Sequence, residues 1–230
     1  MMFGIHWDLS SNWAFAVSII PILLRGMIIT IEATALGFLV ALFLGLIFAL
    51  LRTVPLKIVS WPMAFIIEFV RDTPLLVQLY FLYFVLPNYG IVLPAFLTGA
   101  IALGVQYSAY TSEVYRAGLE AVPRGQWEAS LALNMPTWLV YRDVVVPQAV
   151  PRVIPALGNY LVSMLKDTPI LSAVTVLEML NLATIIGDRT FRYLVPLSMV
   201  GGLFLILTIF SSWLVRVLER RMPNDGIPLR

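Results

Sequence analysis

Cysteine is absent from the 230 residues, which excludes disulfides and cysteine-based metal or redox centres. Histidine occurs once, at His6 near the start of the chain, and no role falls to it. Charge is scarce: Asp, Glu, Lys and Arg make up 12% of the residues, about half the share in an ordinary soluble domain. The net charge is only +2 and its basic residues are dispersed, so a nucleic-acid partner is not expected. No GxxxxGK[ST] phosphate loop, HExxH or GxSxG occurs, so nothing marks the chain as an enzyme.

Apolar residues fill the space that charge leaves. They make up 60% of the chain at a mean hydropathy of +0.91, a balance that belongs to a protein dissolved in a lipid bilayer. Met1 to Asn12 has no basic run ahead of a short apolar region, so it is expected to remain rather than be cleaved as a signal. Five segments are apolar for the roughly 20 residues that a membrane helix needs: Gly26 to Leu51, Ile58 to Leu86, Ala95 to Tyr115, Val153 to Leu177 and Leu194 to Val217. The expected fold is therefore an all-α membrane protein of five transmembrane helices. Residues 1–25 precede the membrane domain as an outer or interfacial segment, 26–217 form that domain, and 218–230 are a tail.

Basic residues mark the cytoplasmic face of a membrane protein. Arg52, Lys57, Arg116, Arg124, Arg142, Arg152, Arg216, Arg220, Arg221 and Arg230 fall on one side, against Arg25, Arg189 and Arg192 on the other. The N-terminus is then outside and the C-terminus inside. Gly37, Ala41 and Gly45 form a close-approach face on the first span. It serves either contacts within the chain or an oligomer contact.

Two spans carry charge where charge is costly. RDTPLL (Arg71 to Leu76) and KDTPIL (Lys166 to Leu171) both fall near the middle of their segments, where a charge costs roughly 2.5 to 3.5 kcal/mol. Arg71, Asp72, Lys166 and Asp167 are therefore expected to face an interior, paired across the spans or meeting a charged solute. Proline lacks an N–H and keeps the preceding residue out of the helical region, so Thr73 and Thr168 are expected to break their spans and cap a second half-helix. Two readings stand: the motifs line a solute path, or they form a buried charge cluster that fixes packing. Glu32, Glu68 and Gln78 join them as lesser candidates. Glu68 lies three residues before Arg71, placed to neutralise it, and Glu113 with Arg116 has the same spacing, placed to bridge to the loop that follows.

The interval 116–152 is too charged to span and too apolar for a disordered linker. Trp127, Leu131 and Leu133 with small residues between them predict a short helix over Gln126 to Leu133, ended by Asn134 and Pro136. A second is expected from Thr137 to about Val146, stopped by Pro147. The loop reads as a compact helical knob.

The run EASLALNMPTWLVYRDVVVPQA resembles the EAA loop of ABC importer permeases. Glu128, Ala129 and Ser130 stand for Glu-Ala-Ala, Asn134 for the following Gly, and Val144, Val146 and Pro147 for the ending. Arg71 to Phe84, Ala109 to Ser130 and Pro155 to Val174 are similar to the polar amino acid branch (histidine, glutamine and arginine type), with the ectoine and hydroxyectoine group within reach. The resemblance spans about residues 20 to 222.

It implies a type I importer subunit in a bacterial inner membrane. Such a subunit has no ATPase of its own and binds no cofactor; ATP is bound by a dimer of cytoplasmic ATPase partners. It pairs with a second permease, identical or related, and receives solute from an extracytoplasmic binding protein. Gln126, Trp127, Glu128, Ala129, Ser130, Asn134 and Met135 become the ATPase-coupling set. Arg71, Asp72, Thr73, Lys166, Asp167, Thr168, Glu32, Glu68 and Gln78 become the translocation path. A polar amino acid or a similar zwitterion such as ectoine is the implied solute. A self-sufficient carrier of zwitterions driven by ions is the alternative, and it leaves the loop unexplained.

Overall fold

The computed structural model describes residues 7–220, so His6, Arg221 and Arg230, with most of the expected tail, lie outside the described residues. Every regular element among the described residues is helical. α1 runs Asn12–Thr53, α2 Lys57–Asp72, α3 Leu75–Tyr80, α4 Ala95–Glu120, α5 Arg124–Ala132, α6 Thr137–Leu139, α7 Val146–Asp167, α8 Met179–Thr190 and α9 Leu194–Arg220.

The first helix starts well before the expected Gly26, so the boundary drawn at residue 25 is not a break in the chain. Ser11 caps it, its hydroxyl accepting the Ala14 N–H at 3.1 Å. Phe15, Ile19, Ile22 and Leu23 continue the buried stripe that runs on through Gly26, Thr30, Ala33, Gly37, Ala41, Gly45 and Ala49. That stripe at spacings of three and four is the reason the helix continues; Pro21, inside it, is exposed.

The second span is broken. α2 and the helical stretch Leu75–Tyr89 meet at 102°, because Thr73 takes the extended conformation that a following proline demands (φ −87°, ψ 130°). Thr73 does not cap the next helix as expected: its hydroxyl donates backward to the Phe69 carbonyl at 2.6 Å, and Pro74 takes the capping position. α3 then loosens into a π turn (Phe81–Val85) and a 3-10 turn (Leu86–Tyr89).

KDTPIL behaves differently. Thr168 stays helical (φ −57°, ψ −30°), its hydroxyl donating to Leu165 O at 2.7 Å, and Pro169 enters the first turn of a 3-10 segment, Thr168–Val174. A first-turn position needs no N–H, so the expected break at Thr168 does not form. The chain bends by 47° only later, next to Thr175, which is left-handed at φ 65°.

α8 fills the interval between the fourth and fifth expected segments, to which no element was assigned. Glu178 caps it, accepting the Leu180 and Asn181 amides at 2.8 and 2.6 Å. Met179, Leu182, Ala183 and Ile186 then bury one face in a core shared with the N-terminal half of α1 and with α9. Contact there is close: a Cβ on Gly26 would lie 2.8 Å from the Met179 Cα. The expected second loop helix is not separate either. α6 opens into a π turn, Val140–Val145, and runs straight into α7, with Pro147 in its first turn. The widened ladder of the π turn accommodates a ring without an N–H.

α1 and α9 are each long and apolar enough to cross a membrane, and the number rises to four if each of the two bent pairs is one span. α4, at 26 residues, is about 39 Å long. Thr98, Gln106, Ser108, Thr111 and Ser112 dilute its apolar character, and all five are buried. α4 packs against α1, α2, α3 and α7, so it is the centre of the bundle.

The Gly37, Ala41 and Gly45 face lies on α4 within this chain. A Cβ on Gly37 would meet Ala100 O at 3.1 Å, and one on Gly45 would overlap Thr111 Oγ1, which donates to Ala41 O at 2.8 Å. Gly45→Ala should therefore destabilise the fold by about 1 to 3 kcal/mol, read as a lower unfolding midpoint in detergent. Adding Thr111→Ala, which removes the overlapping hydroxyl, should recover part of that loss.

Candidate functional site

Interior polar groups gather where α3, α4 and α7 meet. Gln78, on α3 just past the 102° break, donates from Nε2 to the carbonyls of Val70 (2.8 Å) and Thr73 (3.1 Å) and to Gln106 Oε1 on α4 (2.5 Å). The Gln78 amide thus ties the two sides of the break together. Gln106 Nε2 donates in turn to the Tyr110 hydroxyl at 3.3 Å. Tyr110 stacks on Tyr160 of α7, ring centres 5.5 Å apart at 19°, and Tyr107 stands edge-on to both. The Tyr107 hydroxyl donates to Asp167 Oδ2 at 2.7 Å. Gln78 Oε1 is buried and has no partner among the described residues.

Only part of the expected translocation set comes together here. Gln78 and Asp167 are in the cluster. Arg71 pairs with Glu68 at 2.8 Å along its own helix, as their spacing predicts. Among the described residues no ion pair joins Arg71 or Asp72 to Lys166 or Asp167, so the expected cross-span pairing is not formed. Asp72, Lys166, Asp167 and Glu32 are exposed on this chain, Asp167 at the edge of the cluster, while Thr168 is buried and Thr73 half-buried. What the motifs share is their aliphatic ends: Leu75 and Leu79 pack in one core with Ile170, Leu171 and Val174.

Gln106, Tyr107, Tyr110 and Tyr160 were missed from sequence. The signal was present, since a Gln and two Tyr within five residues of an apolar span are costly unless they face an interior. Tyr160 and Asp167, seven apart, share a face of α7.

The second constellation is the loop. Val122, Val140, Val145 and Ala149 form a small core of its own, closed by Leu119, Trp127 and Met135. Trp127 meets Tyr141 edge-on at 5.4 Å, and Ser130 is buried with its hydroxyl on Gln126 O at 2.7 Å. Trp127, Ser130 and Met135 thus hold the knob together, while Gln126, Glu128, Ala129 and Asn134 are exposed. Leu131, Leu133 and Trp138, absent from the expected set, are 70%, 75% and 60% exposed, a large apolar surface on a small element.

Residues 41–224 match the family of binding-protein-dependent transport system inner membrane components. The chain belongs to that family. The permease is 60% identical, over the full length of both chains, to a protein of Sinorhizobium fredii named a probable amino-acid ABC transporter permease. It is 33% identical to the L-cystine transport system permease of Bacillus subtilis, covering 95% of this chain and 92% of that one. A solved structure described as an amino acid ABC transporter with histidines superposes with a TM-score of 0.84 at 36% identity, over 89% of the permease and 96% of that chain.

Asn134 ends α5 at φ 52°. The amides of Asn134 and Met135 close the helix on Leu131 O (2.9 Å) and Ser130 O (3.1 Å), the bond pattern of a left-handed helix terminus. This is the conformation that a Gly adopts freely and Asn tolerates best of the rest. Asn134→Gly should leave the permease as stable and active as before. Asn134→Val should cost about 1 to 2 kcal/mol and loosen the loop, seen as faster proteolysis between α5 and α6.

Proposed function

We propose that this permease is the membrane subunit of an ATP-driven, binding-protein-dependent importer that carries an amino acid or a similar zwitterion inward across a bacterial inner membrane. α1, the broken α2 and α3, α4, α7 with its 3-10 extension, and α9 supply five crossings, the N-terminus outside and the C-terminus inside. The exposed Glu128 and Leu131 of α5, with Leu133 just beyond its end, form the contact with a cytoplasmic ATPase, which hydrolyses the ATP. A second permease, identical or related, completes the pore. An extracytoplasmic protein delivers the solute.

The observation that carries the solute reading is the polar line from Gln78 through Gln106 and Tyr110 to Tyr160, with Tyr107 and Asp167 beside it. Its chemistry suits a zwitterion. Asp167 and three tyrosine rings offer a carboxylate and π faces to an ammonium or guanidinium group, and Gln78 Oε1 is an acceptor with no partner among the described residues. Lys166, beside Asp167 and exposed, offers the opposite charge to a carboxylate. Arg71, neutralised by Glu68, braces α2 instead of meeting solute. The relatives' names speak for an amino acid over ectoine, and membership of a binding-protein-dependent family does not favour a self-sufficient carrier.

In proteoliposomes containing the assembled transporter, uptake should require both ATP and the binding protein. Asp167→Asn and Gln78→Ala should each slow it by about 10-fold or more, the scale of a lost bond to a charged group, with the subunits still co-purifying. Uptake without ATP would overturn the transporter class. Normal uptake by both variants would overturn the site alone.

A further inference from the structure

We propose that Glu113 is a positioning residue for energy coupling: it fastens the inner end of α1 to the base of the loop, so that a push on α5 turns α1, α4 and α7 as one body. The proposal rests on the reading of α5 as the ATPase contact.

Glu113 sits two turns before the end of α4 and divides its carboxylate between two helices. Oε1 accepts from Arg52, in the last turn of α1. Oε2 accepts twice from Arg116, at 3.0 and 2.7 Å, and Arg116 reaches on to Glu120 at 2.6 Å. One residue further, at the end of α4, the carbonyl of Ala121 accepts from Arg152 on α7. Gly118 lies against Val153 of α7, with no room for a side chain between them. Two residues beyond Ala121 the chain turns through Pro123 into α5. The feet of three helices are therefore tied together within the last two turns of α4, just before the loop begins.

Neutralisation alone does not require this arrangement, since Arg116 is already one turn away on the same helix. Arg52 arrives from another element. Nor is the pair needed to bring α1 to α4, which the glycine face does along the length of both helices. What the pair adds is a fixed angle at the foot. Arg52 and Glu113 are only 26% and 23% exposed, so the attraction is less screened than at an open surface, and removing one partner strands the other.

The test measures solute moved per ATP hydrolysed by the assembled transporter in proteoliposomes. Glu113→Gln should lower this ratio at least about fivefold, the small end of a coupling between sites, with the ATPase still bound and still hydrolysing. Arg52→Gln cuts the same tie from α1 and should do the same, which keeps the test open if the Glu113 variant does not fold. Combining the two should add little to either alone. Lys57→Gln removes an exposed cation five residues along the chain from Arg52 and should leave the ratio unchanged. Because the chain has no cysteine, Arg52→Cys/Glu113→Cys can be bridged with a short bis-methanethiosulfonate. The bridge should restore the ratio, which charge loss or misfolding would not allow. An unchanged ratio in both single variants, an equal loss in Lys57→Gln, or no recovery on bridging would overturn the proposal. Loss of the ATPase from the Glu113→Gln complex would also overturn it, by making Glu113 part of the docking shape. Should an alanine at Leu131, Leu133 or Glu128 fail to weaken ATPase binding, the reading of α5 itself would fall, whatever Glu113 does.

Discussion

A polar group carried into hydrocarbon must find its partner inside the protein, and α4 is arranged around that demand. Thr98, Gln106, Ser108, Thr111 and Ser112 are buried on it, and Tyr107 reaches Asp167 across to α7. Thr98, Ser108 and Ser112 bond back to carbonyls one turn earlier, whereas Thr111 reaches Ala41 O on α1, Gln106 meets Gln78 on α3 and Tyr107 meets Asp167 on α7. The bundle thus has an inside with a chemical character, polar in composition and lined from three helices. The apolar contacts exclude lipid from it, and the hydrogen bonds give it a shape.

The same demand explains which parts of the fold were legible in sequence. Long apolar runs showed where helices pass, and the residues before Pro74 showed a true break, since proline acts locally whatever surrounds it. Pro147 and Pro169 did not break anything, because Pro147 follows the widened ladder of the π turn and Pro169 enters the first turn of the 3-10 segment. Whether a proline is at the start or in the middle of a helix depends on where the helix begins, and tertiary packing sets that. α8 shows the complementary limit. Its apolar residues at 179, 182, 183 and 186 carry a helical period, but Asn181, Thr184 and Asp188 between them read as loop until α1 supplies a face to bury against.

Site residues divided along similar lines. Glu68 with Arg71, and Asn134 in its left-handed position, followed from spacing and backbone chemistry alone. The partners of Arg52 and Asp167 lie some sixty residues away in the chain, and no local pattern records such pairings. RDTPLL and KDTPIL look like copies, but one is a right-angle corner and the other a helix that continues. Their likeness in sequence is not likeness in shape, and it gives little support to an internal duplication.

The joint between α1 and α4 has one more consequence. With Gly37 and Gly45 set against backbone carbonyls and a bonded hydroxyl, and Gly104 against the stiff branched side chain of Val40, it has little between the helices that can change rotamer and let them slide. A joint of that kind is stiff in shear. The pair must travel as a single strut, and the flexure has to be taken up at its ends, in the short non-helical segments 54–56 and 121–123. Seen as a machine, the permease concentrates its compliance in a few residues at the inner face and keeps its interior rigid.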